Sequence, residues 1–181
     1  GWHDWYLSAN LTSADNLKGL LLPGLSPLGV PKSLRNSTIP LEYGNITQLE
    51  KIISKNNDVG AICIEVQRGK EPDLSFLKKV RKIANKINAV LIFDEISSGF
   101  RLNIGALYSI YNLNPDMVIL GKALGNGFGI SAVMGKKSVM DSAQDSFISS
   151  SYWTERTGYA AALETLNQFE SKNVINYLKE I

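Results

Sequence analysis

The chain has 181 residues, of which 44% are apolar and 20% charged, and its formal net charge is +2. These proportions are typical of a folded α/β domain with a sizeable core, and they exclude collagen-like and strongly charged disordered classes. A charge balance so close to neutrality provides no electrostatic attraction to nucleic acid or to a membrane, so we expect neither as a partner.

The single cysteine, Cys63, excludes an internal disulfide, and its apolar neighbours predict a core residue rather than a nucleophile. No apolar run reaches the length of a membrane span, and no charged-then-apolar leader is present. The expected compartment is therefore the cytoplasm.

The first part of the chain, residues 1–40, is rich in Gly, Pro, Ser and Asn and shows no sustained periodicity. Structureless stretches of this length are uncommon inside compact domains unless they are functional. We therefore expect a long functional loop, with residues 21–39 as the candidate for a lid.

Helical and strand patterns alternate through residues 41–181, the predicted α/β core. Helices are predicted after Asn45, after Asp73, and over residues 105–111 and 157–169. Strands are predicted over residues 59–66, 89–93, 116–120 and 130–134. Apolar strands that alternate with helices indicate a mostly parallel sheet with helices on both faces.

Two charged side chains follow predicted strands: Asp94 in VLIFDEISSGFR and Lys122 in DMVILGKALGNGFG. Ligands of such sheets gather beyond the carboxyl ends of the strands, so we expect both residues to face one crevice. Alternation along the strand puts Asp94 and Ile96 on one side and Glu95 on the other, so the two acids are not expected to act as a pair. The glycines after Lys122 would let the backbone pass close to a bulky ligand.

A lysine beside apolar walls loses some preference for its charged form, and a neutral amine can attack a carbonyl group. A buried aspartate can hold a positive charge on a ring nitrogen. These are the two protein groups that a pyridoxal 5'-phosphate (PLP) site needs. The alternative is a non-catalytic phosphate- or nucleotide-binding α/β module in which Lys122 and the glycines contact phosphate. The order of residues around Lys122 does not match a P-loop.

The segment AVLIFDEISSGFR, with Lys122 placed 28 residues after Asp94, resembles the signature of the class III aminotransferases. Within that family it is similar to the glutamate-1-semialdehyde 2,1-aminomutase-like branch, and the resemblance extends to GWHDWYL and to SSSYWTERTGYAAALETL. It implies the large domain of a fold type I PLP-dependent transferase. It also implies a homodimer with shared active sites and amino-group transfer to or from a small amino or keto substrate.

The resemblance implies a role for five residues. Lys122 would be the internal aldimine lysine and the proton carrier, and Asp94 would bond the ring nitrogen of PLP. Ile96 would press on one face of the ring. Ser151 stands where many relatives have a threonine that reaches the cofactor phosphate of the partner subunit, and Thr154 is a second candidate for that role.

Several features depart from the family pattern. Val66 replaces the usual proline of a Glu-Pro pair, Lys70 replaces a residue that addresses substrate in some relatives, and Gly129 replaces a common proline. The upstream phosphate turn, the ring-stacking aromatic residue and the C-terminal small domain are not in the sequence, so we expect a partial large domain with little activity alone. The roles of His3 and Arg101 stay open, although Arg101 is better explained as structural.

Overall fold

The computed structural model describes residues 4–13, 15–17, 25–67, 69–149 and 151–181. His3 and the first four residues of the predicted lid, 21–24, lie outside this description. The chain divides into two compact units, Gly1–Asn57 and Asp58–Ile181.

In its described residues up to Leu34 the first unit contains short helices where the sequence predicts a loop, and the helix predicted after Asn45 is confirmed. Helix α1 is Asp4–Ser8, two 3-10 helices are Ala9–Leu11 and Lys32–Leu34, and helix α2 is Ile46–Lys55. Buried Asn10 ties this part together, because its Nδ2 donates to the Leu25 carbonyl at 2.7 Å and its Oδ1 accepts the Leu17 N–H at 3.3 Å. Such local side-chain bonds order a backbone that has no sustained hydrophobic periodicity.

The second unit carries the sheet. Its strands are β1 Ala61–Glu65, β2 Val90–Asp94, β3 Met117–Leu120 and β4 Ala132–Gly135. Its helices are α3 Leu74–Ile87, α4 Lys137–Met140, α5 Thr157–Ser171 and α6 Val174–Glu180, and its 3-10 helices are Leu107–Ser109, Lys122–Leu124 and Asp141–Asp145. Within the described ranges, no helix has the length and apolar character needed to cross a membrane.

The sheet has the strand order β1-β2-β3-β4. The first three strands are parallel, which confirms the predicted mostly parallel sheet, and β4 runs antiparallel to β3. Glu65, Asp94 and Ile119 are register partners at the carboxyl ends of the parallel strands. The residues that follow these strands therefore meet at one edge of the sheet.

One face of the sheet packs on α3 and forms the core. Leu91 and Phe93 of β2 and Leu77 and Val80 of α3 are all fully buried. Each such side chain contributes roughly 1.5–3 kcal/mol through burial. Asp73 caps α3 by accepting the Phe76 N–H at 2.9 Å.

The opposite face of the sheet is less covered. Alternate residues of β1 are buried and exposed, and Cys63 is on the exposed side. The prediction of a core position for Cys63 is therefore wrong. An apolar run does not by itself tell a strand that is buried on both faces from one that is buried on a single face.

Candidate active site

Asp94 is the last residue of β2 and is half-buried. Its Oδ1 accepts the backbone N–H of Ile96 at 3.0 Å, which turns the chain at the end of the strand. Among the described residues, no group donates a hydrogen bond to Oδ2 of Asp94. One oxygen of the carboxylate therefore stabilises the turn, and the other is available to accept a hydrogen bond.

Lys122 begins the 3-10 helix that follows β3. Its Nζ donates to the Ser97 hydroxyl at 2.6 Å, which brings the amine to the turn that follows Asp94. Its φ of 45° lies in the left-handed region that residues other than glycine seldom adopt. Backbone strain of this kind is common at functional sites.

Ile96 lies beside the start of the Lys122 turn. A Cβ atom added to Gly121 would be 3.5 Å from Cγ2 of Ile96, so the Ile96 side chain lies next to Gly121. The structure therefore brings together three of the five predicted site residues, Asp94, Ile96 and Lys122, at one edge of the sheet.

Glu95 points away from this edge and is fully buried. Its carboxylate accepts the backbone N–H groups of Leu107 and of Tyr108, the latter at 2.9 Å, and the Ser98 hydroxyl donates to it at 3.3 Å. Burial raises the pKa of the Glu95 carboxyl, while the accepted hydrogen bonds act in the opposite direction. Glu95 is therefore the anchor of the loop between β2 and the 3-10 helix Leu107–Ser109.

Ser97 is a site residue that the sequence analysis missed. Besides the bond to Lys122, its carbonyl accepts Nε of Arg101 at 2.6 Å, which gives Arg101 the structural role that the sequence suggested. No periodicity or motif relates Ser97 to a lysine 25 positions further on. The only available signal is its place one residue after Ile96, at the carboxyl end of a parallel strand.

The glycine-rich loop after Lys122 folds on itself. A Cβ atom at Gly125 would lie 2.2 Å from the Phe128 carbonyl oxygen and 2.7 Å from Cγ2 of Ile130. Gly127 has a φ of 106°, which favours glycine. At Gly125 the tight folding of this loop is by itself sufficient to require glycine, and the explanation that these glycines admit a bulky ligand stays a prediction.

Ser151 and Thr154 lie in the turn that precedes α5, and both are exposed. Neither side chain has a hydrogen-bond partner among the described residues, so no such bond joins them to Asp94 or Lys122. Helix α5 begins directly after them, where Glu155 accepts the backbone N–H of Thr157 at 2.7 Å.

The sequence profile of one protein family matches residues 18–181, a range that includes the whole sheet, Asp94 and Lys122. The chain belongs to this family, the class-III aminotransferases.

Several relatives are known by name. The chain is 31% identical to 3-aminobutyryl-CoA aminotransferase of Cloacimonas acidaminovorans over 97% of its own length and 40% of that protein. It is 36% identical to glutamate-1-semialdehyde 2,1-aminomutase of Sulfolobus acidocaldarius over 81% of its own length and 36% of that protein. It thus spans less than half of either relative.

A solved structure has the same fold. FumI of Sphingopyxis sp. MTA144, in its PLP internal aldimine form, superposes with a TM-score of 0.73 and 25% identity over 93% of this chain and 45% of FumI. The fold is therefore that of the large domain of fold type I transaminases.

Proposed function

We propose that the complete protein is a PLP-dependent enzyme of amino-group transfer, with Lys122 as its catalytic amine. The observation that carries this proposal is the 2.6 Å hydrogen bond from Lys122 Nζ to Ser97. Ser97 belongs to the turn that begins at Asp94, so the bond brings the amine close to the aspartate. Family membership and the named PLP-containing relative support it.

The groups at this edge fit PLP by their chemistry. Oδ2 of Asp94 is available for a protonated ring nitrogen, Lys122 provides a primary amine, and Ile96 provides a branched aliphatic surface for a ring face. When bound, PLP supplies an electron sink for carbanions formed next to an amino group.

The side chains of this chain then have separate tasks. Asp94 would accept a hydrogen bond from the protonated ring nitrogen through its Oδ2. Lys122 would hold the cofactor through its primary amine, and its Nζ would carry a proton between two carbon atoms of the substrate. Ile96 would pack against one face of the ring.

We also propose that the enzyme is a homodimer in which Ser151 and Thr154 bind the cofactor phosphate in the partner's site. Their surroundings support this, since Phe147 is 98% exposed and Trp153 is 66% exposed. Exposed apolar clusters of this kind mark interaction surfaces. Light scattering on the complete protein should give the mass of a dimer, and Trp153→Lys should reduce it towards the monomer.

We propose that the chain is a partial large domain, with a lid region at residues 1–40 and an α/β core at residues 41–181. The full polypeptide would also contain a phosphate-binding turn, an aromatic residue that stacks on the cofactor ring, and a small domain. Relatives more than twice as long support this. We also propose the cytoplasmic location that the sequence leads us to expect, and a single cysteine, which forms no internal disulfide, is in keeping with it.

The alternative of a non-catalytic phosphate- or nucleotide-binding module has less support. Such sites use backbone N–H groups that point outwards from a glycine-rich loop. Here the N–H groups of Gly125 and Asn126 donate to the Lys122 carbonyl at 3.1 and 3.0 Å. Two donors of the loop are therefore already engaged within it.

The deciding experiment is borohydride reduction of the complete, PLP-loaded protein, followed by peptide mass spectrometry. Cofactor mass is expected on Lys122, together with a visible absorption band that borohydride removes. Lys122→Ala should lose both, whereas Lys137→Ala, at a lysine whose side chain is 85% exposed, should keep both. An unchanged band in Lys122→Ala would overturn the assignment.

A second variant tests the aspartate. Asp94→Asn should retain the fold and lose roughly 10- to 100-fold in kcat, since a hydrogen bond to a charged group contributes about 1.5–3 kcal/mol. Near wild-type turnover would contradict the role of Asp94.

A further inference from the structure

We propose that Ser97 is a positioning residue for the Lys122 amine, an inference that rests on the proposed function. The Ser97 hydroxyl accepts the single hydrogen bond that Lys122 Nζ donates among the described residues, with an N to O distance of 2.6 Å. This distance is at the short end for a bond from a charged donor. A long, flexible lysine side chain is thus directed to one place.

The backbone around Ser97 is held by several hydrogen bonds. Nε of Arg101 bonds the Ser97 carbonyl at 2.6 Å, and the Gly99 N–H donates to the Glu95 carbonyl at 2.8 Å. The buried Glu95 carboxylate holds the far end of the same loop through Leu107. Ser97 is therefore part of an anchored turn, so its Oγ can define where the amine lies.

The lysine is constrained from its own side as well. Its φ of 45° and the two loop N–H groups that bond its carbonyl fix the direction in which the side chain leaves the backbone. A hydrogen bond from the charged tip can offset the rotamer entropy that the four-carbon stem loses when it is held in one conformer.

A hydroxyl suits this task because it both accepts and donates. It accepts from an ammonium group and, by rotating, donates to the lone pair of a neutral amine. Ser97 can therefore hold Nζ in either protonation state while a proton is taken or returned. A carboxylate or an amide nitrogen would favour only one of those states.

The neighbouring Ser131 provides a matched control. Its Cβ would be 3.7 Å from a Cβ atom added to Gly121, so it lies beside the Lys122 turn, yet it is exposed and has no hydrogen bond to Nζ. If any small hydroxyl near the turn were enough, Ser131→Ala and Ser97→Ala would have similar effects.

The test compares Ser97→Ala, Ser97→Thr and Ser131→Ala in the complete protein. The readouts are the rate at which added PLP attaches to the cofactor-free protein, followed by its visible band, and the kinetic constants. Ser97→Ala should slow attachment and kcat by about tenfold, as expected for loss of one hydrogen bond to a charged group, and should leave KM unchanged. Ser97→Thr should restore both, and Ser131→Ala should match the wild type.

The outcomes separate this inference from the proposed function. If the wild type attaches no PLP at all, the proposed function fails. If the wild type attaches PLP and Ser97→Ala does so at the same rate and with the same kcat, only the positioning role of Ser97 fails. Should Ser97→Ala not fold, Ser97→Cys provides the same comparison, because a thiol keeps the size and hydrogen-bonds only weakly.

Discussion

At the scale of single residues, Asp94 and Glu95 are adjacent carboxylates with opposite surroundings. The strand turns Asp94 to the less covered face, where Oδ1 accepts one N–H. Glu95 goes into the core, where two backbone N–H groups and one hydroxyl compensate for the loss of water. One residue can therefore face a ligand because its neighbour anchors the loop.

Removing the Glu95 carboxylate should destabilise the protein. Glu95→Ala leaves the buried N–H of Leu107 and the N–H of Tyr108 without an acceptor, at a cost of about 3 kcal/mol. Denaturant unfolding of the complete protein measures this change. Glu95→Gln keeps one acceptor and should lose less, and Glu164→Ala, on the exposed side of α5, should change stability by less than about 0.5 kcal/mol. A similar small change in Glu95→Ala would contradict the anchoring role.

Residues of the candidate site could be predicted where their position depends only on neighbouring residues in the sequence. Asp94, Ile96 and Lys122 could be found because each follows the carboxyl end of a strand, or lies on the same side as a residue that does. The bonds of Ser97 to Lys122 and of Glu95 to Leu107 and Tyr108 could not, because they depend on how loops return in three dimensions. Local sequence patterns do not show which distant residues a loop will contact in the folded chain.

At the scale of elements, Asp116 joins three parts of the second unit at the amino end of β3. Its carboxylate accepts Arg81 of α3 at 2.6 Å, Lys136 after β4 at 2.8 Å and the Leu91 N–H of β2 at 2.8 Å. Burial disfavours the charged form, but these hydrogen bonds outweigh it and lower the pKa of Asp116 to about 2. This network lies at the end of the strands opposite to the candidate site.

The lowered pKa of Asp116 predicts a pH-dependent stability. Because the ordinary value is 3.8 and the folded value is about 2, the contribution is complete above about pH 4 and is lost as the pH falls towards 2. Asp116→Asn should lower the free energy of unfolding by about 2 kcal/mol at neutral pH and should remove this part of the acid dependence.

The matched control is Asp141→Asn, which removes an exposed pair with Lys137 one helical turn away. Exposed pairs of this kind contribute only about 0.3–0.5 kcal/mol. Denaturant titrations at several pH values between 2 and 7 compare the three proteins. Equal acid dependence in wild type and Asp116→Asn would refute the assigned origin.

Helices whose capping residues can be recognised in the sequence were predicted best. The start of α3 follows from Asp73, as predicted, and in the structure the helix ends before Asn88, which adopts the left-handed conformation with a φ of 56°. Residues 4–11 were expected to be irregular, yet they form short helices held by the side-chain bonds of Asn10. Helices of one or two turns bury too few residues to leave a periodic signal.

At the scale of the whole molecule, the proposed function includes two kinds of amino-group transfer. An intramolecular aminomutase must retain its substrate until the amino group returns to the neighbouring carbon, whereas an aminotransferase must release a first keto product and admit a second substrate. The named relatives include both kinds of enzyme. The two reactions share the lysine and the aspartate and differ in how the site closes, so Lys122 and Asp94 do not distinguish them.

We predict that the complete protein, loaded with pyridoxamine phosphate, transfers its amino group to a carbonyl substrate in a way that depends on Lys122. The resemblance to the aminomutase-like branch makes glutamate-1-semialdehyde the first substrate to supply, without an added amino acceptor. Formation of 5-aminolevulinate identifies an aminomutase. Turnover that needs a separate amino donor and keto acceptor identifies an aminotransferase. The Lys122→Ala variant is the control, and its turnover number should be lower than that of the wild type by at least about 1000-fold, since the proton carrier is lost. If no carbonyl substrate changes the cofactor spectrum of the wild type, amino-group transfer itself is contradicted.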